Sequence, residues 1–225
     1  MKRKIFIDQK LNGREILEIT DKEIIQRINN VYRLKLKDNL IFIGNDLIEG
    51  FYCLLKKNQN SLVFKLQHLN KRYLIPKRNI SLYLSFLKKE TFEFILSKVF
   101  ELGIKKIIPL ITERSSWFTN KISPRWLKII YKGLEIADWN YLPKILNPIY
   151  LKDLPDNIYV LDKNGIDIKS INFDNKINIV LGPEGGFSEK ELKIFKSKKS
   201  KFISLSKSNL KAETALMIAI GIINF

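Results

Sequence analysis

The sequence predicts an α/β protein in two parts, a small β-barrel over residues 1–72 and a mainly parallel, helix-covered sheet over residues 73–225. Three observations lead there. Up to Arg72, short apolar or alternating runs are closely spaced and broken by turn-formers. From Tyr73 the apolar period lengthens to that of helices. Beyond that point strand-like and helix-like stretches alternate to the C-terminus, a pattern that builds parallel sheets with helices on both faces.

In the first part the expected strands are Lys4 to Ile7, Leu40 to Ile43, Phe51 to Leu55 and Leu62 to Leu66. Gly44-Asn45-Asp46, Glu49-Gly50 and Asn58-Gln59-Asn60 separate them as turns. Asp21 to Val31 reads as one helix, with Ile24, Ile25, Ile28 and Val31 on one face. In the second part Ile80 to Phe86 alternates as a strand. Thr91 to Leu102 follows as a helix, and Gly103 supplies the left-handed residue that closes it. Ile104 to Leu110 is the next strand. Trp126, Ile129, Ile130, Gly133, Leu134 and Ala137 mark another helical face. Ile158 to Leu161, Ile177 to Leu181 and Phe202 to Leu205 are short strands, with helices expected over Ser188 to Lys198 and Ala212 to Ile223.

Composition excludes several chemistries. Cys53 and His68 are the only residues of their kinds, so an intramolecular disulfide and the usual Cys/His zinc site are ruled out, and no metal is expected. A Ser-His-Asp or Cys-His mechanism would have to use His68, whose place in Leu66-Gln67-His68-Leu69 reads as structural. The longest apolar run, Thr214 to Phe225, is shorter than the roughly 20 residues that span a bilayer. No membrane segment is expected, and a cytoplasmic location is. The net charge is +17, with 15 basic and 8 acidic residues up to Arg72 and 25 and 15 after it. Such a field attracts polyanions, although a composition heavy in Lys, Ile and Asn supplies part of it unaided.

The most informative stretch is Leu181-Gly182-Pro183-Glu184-Gly185-Gly186-Phe187-Ser188, where a buried strand enters a Gly-rich turn and a helix begins at once. Ser188 and Glu191 have the spacing of a capping box. Gly182, Gly185 and Gly186 are expected to permit positive φ angles and close approach to the backbone. The turn lacks Gly-Lys-Ser/Thr and is not G-x-G-x-x-G, so neither a phosphate-binding loop nor the dinucleotide fingerprint is present. Two more strand exits carry polar turns: Pro109 to Ser115, and Leu205 to Ala215, where Ser208 or Asn209 could cap the last helix. All three are expected to converge on one ligand pocket, since open α/β sheets bind ligands at the carboxyl ends of their strands.

Taken in order, Glu101-Leu102-Gly103, Ile107 to Ser115, Leu181 to Ser188 and Glu213-Thr214-Ala215 resemble the signature of the RsmE family, SPOUT-class enzymes that methylate N3 of a uridine in 16S rRNA of the small ribosomal subunit. Val31 to Asp38 is similar to the segment opening that family's PUA-like barrel. The resemblance implies a PUA-like RNA-binding barrel, a SPOUT domain with a deep C-terminal trefoil knot, S-adenosylmethionine as cofactor, and a homodimer acting on 16S rRNA within the assembled small subunit. It implies a cofactor site at Leu110, Thr112, Leu181, Gly182, Pro183, Glu184, Gly185, Gly186, Leu205, Leu210, Glu213, Thr214 and Ala215, and RNA contacts from Arg33, Lys35 and Lys37.

Two departures from the family pattern stand out. Lys211 occupies a position where the family usually has Arg; it keeps the charge without the planar fork. Glu135 to Pro143, with Ile136 and Trp139, replaces a Glu-Gln-Ser-Gly-Arg stretch. Trp139 and Tyr141 could stack on a base or pack in a core or dimer interface. For the chemistry, Arg114 and then Lys211 are the expected stabilisers of charge on the uracil oxygens, with Glu113 or Glu184 near the proton. Other readings left open are a knotted methyltransferase acting on tRNA or a ribose 2′-hydroxyl, and a ribosome-assembly factor without catalysis.

Overall fold

A computed structural model of the chain describes residues 3–225, which form two compact units. One holds the chain up to Leu74 together with Leu134–Leu142; the other holds Ile75–Gly133 and Pro143–Phe225.

The first unit is a five-stranded sheet of β1 (Lys4–Phe6), β2 (Ile16–Ile19), β3 (Asn39–Ile43), β4 (Ile48–Lys57) and β5 (Leu62–Lys71), in the order β1-β3-β4-β5-β2. Every pairing is antiparallel except β1 with β3. Ile5, Leu17, Phe42, Tyr52 and Phe64, one from each strand, share a single core, so the sheet curls around it. Its end strands β1 and β2 are not paired with each other among the described residues. The expected helix begins at a cap: the Asp21 carboxylate accepts from the Ile24 N–H at 3.0 Å. It is short, however. After α1 (Lys22–Gln26) the chain widens into a π-type turn, Arg27–Tyr32, and ends at Arg33 with φ 51°. His68, on β5, stacks on Phe51 with ring centroids 4.0 Å apart.

The segment 134–142 corrects the expected division at residue 72. Leu134 and Ala137 were expected to extend a helix, yet α3 (Pro124–Lys132) stops at Gly133, where a Cβ would lie 2.7 Å from that of Phe100. The following residues instead join the first unit through ion pairs that the apolar period could not disclose. Arg72, buried, donates twice to the Glu49 carboxylate, at 3.0 and 2.8 Å, and to the carbonyls of Leu134 at 2.6 Å and Ala137 at 2.9 Å. Lys4 links Glu49 to Asp138 at 2.9 and 2.7 Å. Arg27 grips Glu135 with two hydrogen bonds of 2.9 and 2.6 Å.

The second unit is a seven-stranded parallel sheet. It comprises β6 (Asn79–Ser85), β7 (Ile104–Ile111), β8 (Lys144–Ile145), β9 (Ile149–Tyr150), β10 (Tyr159–Asp167), β11 (Lys176–Leu181) and β12 (Lys201–Ser204). The order is β12-β10-β11-β6-β7-β8, with β9 also paired to β7. One face packs on α2 (Lys89–Val99), α3 and α5 (Ala212–Asn224) through Phe92, Leu96, Trp126, Ile130, Leu216 and Ile220. The other face packs on α4 (Glu189–Ser197) through Phe195 and on the turn at Leu151 and Leu154. Gly103 is left-handed as expected, with φ +80°. No described helix is long and apolar enough to cross a membrane.

Arg72→Ala leaves the buried Glu49 carboxylate with Lys4 as its cation and takes the donor from the Leu134 and Ala137 carbonyls. It should destabilise the protein by about 3 kcal/mol, whereas Arg125→Ala, which breaks an exposed pair with Glu93, should change stability far less. Urea denaturation of both variants measures the contrast, and near-equal losses would contradict the assignment of Arg72 as the anchor of 134–142.

Candidate active site

Because the strands of the second unit are parallel, their carboxyl ends share one edge, and a cavity of about 510 Å³ opens there. Four adjacent strands build it. The end of β12 contributes Ile203, Leu205 and Ser206, and β10 contributes Leu161, Asp162 and Lys163, at the irregularity where its register with β12 shifts. The exit of β11 contributes Leu181 to Glu184, and the turn after β6 contributes Lys88. Ser208, Leu210, Lys211, Ala212, Glu213 and Ala215 close it at the start of α5. The lining mixes apolar and polar groups and includes three carboxylates (Asp162, Glu184, Glu213) and three ammonium groups (Lys88, Lys163, Lys211).

The Gly-rich turn is shaped differently from the expectation. Only Gly186 has positive φ, +68°. Gly182 is needed for another reason: a Cβ there would lie 2.6 Å from the Phe187 ring, which folds back over the strand end. Phe187 in turn packs edge-on against Phe195 of α4, centroids 4.7 Å apart. The capping box is present. The Ser188 side chain accepts from the Glu191 N–H at 3.3 Å, and the Glu191 carboxylate accepts from the Ser188 N–H at 2.9 Å.

Glu191 does more than cap. Its carboxylate is buried, and its second oxygen accepts from the Glu113 N–H at 2.9 Å, joining the β7 exit to the start of α4. The β7 exit is itself a tight turn: the Ser115 hydroxyl accepts from the Thr112 N–H at 3.1 Å, and the two hydroxyls lie 2.9 Å apart. That turn projects Arg114, whose guanidinium donates to the Gly185 carbonyl at 2.6 Å.

Of the residues read from the sequence, Leu181, Gly182, Pro183, Glu184, Gly186, Leu205, Leu210, Lys211, Glu213 and Ala215 line the cavity. Leu110, Thr112, Glu113, Arg114, Gly185 and Thr214 do not. Leu110 is wholly buried in the core, and Thr112 is tied to Ser115. Sheet order gives the reason. β6 lies between β7 and β11, so the β7 exit is two strand spacings, roughly 10 Å, from the Gly-rich turn. It reaches the turn only through Arg114 and Glu113. Nor does Arg114 form an ion pair with Glu113, Glu184 or Glu213 among the described residues. The last helix is capped neither by Ser208 nor by Asn209. Lys211 stands at its N-cap without a capping side chain, while Asn209 accepts from Lys163 at 3.2 Å. Asp162 and Lys163 of β10 went unread because no motif marks them, and the strand's Gly165 serves to pack against the backbone of Phe202 and Ile203. Arg33, Lys35 and Lys37 lie in the first unit on an exposed turn before β3, where Asp38 accepts from the Lys35 N–H at 2.7 Å.

A second cleft of about 340 Å³ lies beside α2 and the start of α3, with Trp117 and Trp126 as its apolar walls and Lys89, Lys121 and Arg125 among its polar residues. The Lys89 ammonium sits 5.6 Å from the centre of the Trp117 ring. A two-pronged hydrogen bond from Arg125, 2.6 and 2.8 Å, holds the Glu93 carboxyl below the usual carboxylate range.

Residues 75–224 match the family model of the RNA methyltransferase domain, which defines the class of the second unit. The similarity also extends across the first unit. The chain is 30% identical to ribosomal RNA small subunit methyltransferase E 2 of Borreliella burgdorferi over 97% of this chain and 95% of that protein. It is 31% identical to ribosomal RNA small subunit methyltransferase E of Rickettsia conorii over 97% and 93%. The chain therefore belongs to the ribosomal RNA small subunit methyltransferase E family. Its fold is shared by a Neisseria gonorrhoeae member solved bound to S-adenosyl methionine, with TM-score 0.85, 23% identity, and coverage of 99% of this chain and 97% of that one.

Replacing Glu191 with Ala removes the capping box and the link to Glu113 together, and should cost about 2–3 kcal/mol. Glu191→Gln keeps one acceptor and should lose less. Denaturant titration of both variants tests this ranking, and an Ala variant as stable as the parent would contradict the bridging role.

Proposed function

We propose that the chain methylates N3 of a uridine in 16S rRNA, with S-adenosylmethionine as the methyl donor. The observation that carries this reading is the strand-exit cavity. Its volume suits a nucleoside-sized ligand, and its donor set suits this one. Main-chain groups of Leu181 to Gly186 and Leu205 to Leu210 are available to an adenosine. Asp162, Glu184 and Glu213 complement a sulfonium and an ammonium, and Lys163 or Lys211 complements a carboxylate. When bound, the cofactor supplies an electrophilic methyl group.

The chain's own residues then position the uridine and offset charge. Arg114 is fixed at the mouth by the Gly185 carbonyl, and its remaining N–H groups are available to a uracil oxygen that gains negative charge as N3 loses its proton. Lys211, on the cavity wall, offers a second cation, and Glu184 or Glu113 an acceptor for the proton. The same reading assigns the exposed Arg33, Lys35 and Lys37 to RNA phosphates on a PUA-like first unit. It also assigns a trefoil knot to the C-terminal part of the second unit, and a homodimer to which the exposed Ile218 and Ile222 of α5 contribute. An enzyme of this kind works on small subunits in the cytoplasm.

Arg114→Ala should lower turnover by about 10²-fold while calorimetry shows S-adenosylmethionine binding within a few-fold of the parent. An unchanged rate removes Arg114 from the chemistry. Mass spectrometry of 16S rRNA from a strain lacking the gene should show loss of a single 3-methyluridine, and a fully modified rRNA would refute the substrate assignment.

A further inference from the structure

The second cleft is joined to the cavity by chain continuity at two places. Lys88 lines the cavity and its neighbour Lys89 lines the cleft, so their Cα atoms are one peptide, about 3.8 Å, apart. The β7 exit loop likewise runs from Arg114, bonded to Gly185 between the cavity-lining Glu184 and Gly186, to Trp117, Thr119 and Lys121 in the cleft.

That loop is fixed in place. The Ser116 N–H donates to the Phe86 carbonyl at 2.9 Å, and the Trp117 indole N–H donates to the Leu87 carbonyl at 2.7 Å. Trp117 packs on Phe86, Phe92 and Trp126 with centroids 4.7, 5.6 and 5.9 Å apart. The cleft is therefore a rigid aromatic wall carrying cations. Glu93, its carboxylate, is already satisfied by Arg125, which leaves Lys89 and Lys121 as surplus positive charge. The Trp117 ring face holds the Lys89 ammonium in position.

We infer that this cleft binds the phosphodiester backbone of the single-stranded RNA nucleotides flanking the target uridine, Lys89 and Lys121 each contacting a phosphate. The inference rests on reading the chain as an enzyme of RNA. A strand whose target base enters the cavity mouth must continue past Lys88 and Arg114, and the next cationic surface along both connecting segments is this cleft. Cations that track a backbone beside aromatic side chains are the combination that holds single-stranded nucleic acid.

The test uses the full-length protein and a fluorescein-labelled 12-nucleotide single-stranded RNA containing uridine, with anisotropy read across a range of salt concentrations. The double variant K89A/K121A should bind about ten-fold or more weakly at low salt, and its log-log salt slope should be shallower by about 1.4, two phosphates at roughly 0.7 each. Far-UV circular dichroism should be unchanged, since both lysines are exposed. Parent-like affinity and slope in the variant, or no RNA binding by the parent, overturns the site. Calorimetry with S-adenosylmethionine on the same samples separates this result from the proposed function. Loss of RNA affinity in a protein that never binds the cofactor would sustain the cleft and sink the methyltransferase reading; cofactor binding with an unaltered variant would do the reverse.

Discussion

The buried Glu191 carboxylate is the constraint on which the site depends. One oxygen accepts from Ser188 and starts α4; the other accepts from Glu113 and draws in the exit of β7. A carboxylate taken out of water must find such partners, so the two loops have one well-satisfied arrangement. That arrangement places Arg114 against the Gly185 carbonyl. Without it, a β7 exit separated from β11 by β6 would have no reason to reach the Gly-rich turn.

The remainder of the cavity follows from topology. Parallel pairing puts the ends of β12, β10, β11 and β6 side by side, and the start of α5 covers them. Gly182 lets Phe187 fold onto the strand end, and that ring transmits the packing of α4 to the cavity wall. The division of labour is physical: adjacent strands make a mixed-charge pocket, while the more distant β7 exit contributes Arg114 beside the Gly-rich turn and then an aromatic, positively charged surface beyond. The first unit is held by different means. The Arg72, Glu49 and Lys4 cluster carries 134–142 across its sheet.

Much of this was legible in the residues. Alternation in Ile80 to Phe86 and the capping pair Ser188 and Glu191 specified strand and helix starts locally, and local signals survive folding. The four-residue strand β2 was missed because Leu17 and Ile19 alternate over too short a span to stand out. The helix after Trp126 was read too long because Leu134 keeps the helical period, while the hydrogen bonds and ion pairs that place 134–142 in the first unit join residues more than 60 positions apart. In the site, the Gly-rich turn announced itself, whereas Asp162 and Lys163 had no local mark: strand order alone brings β10 between β12 and β11. Leu110 and Thr112 lie in a motif-bearing segment yet face the core and Ser115, because a motif marks a segment and not the direction of each side chain.

The central claim is that the ends of β11 and β12, residues 161–163 of β10 and the start of α5 form a single cofactor pocket. Amide nuclear magnetic resonance of the ¹⁵N-labelled protein, titrated with S-adenosylmethionine, tests it most directly. Saturable shifts concentrated at residues 161–163, 181–186 and 205–213, with those of 33–37 unmoved, are the predicted result. Shifts absent at those residues, or confined to the curled sheet of the first unit, would contradict it.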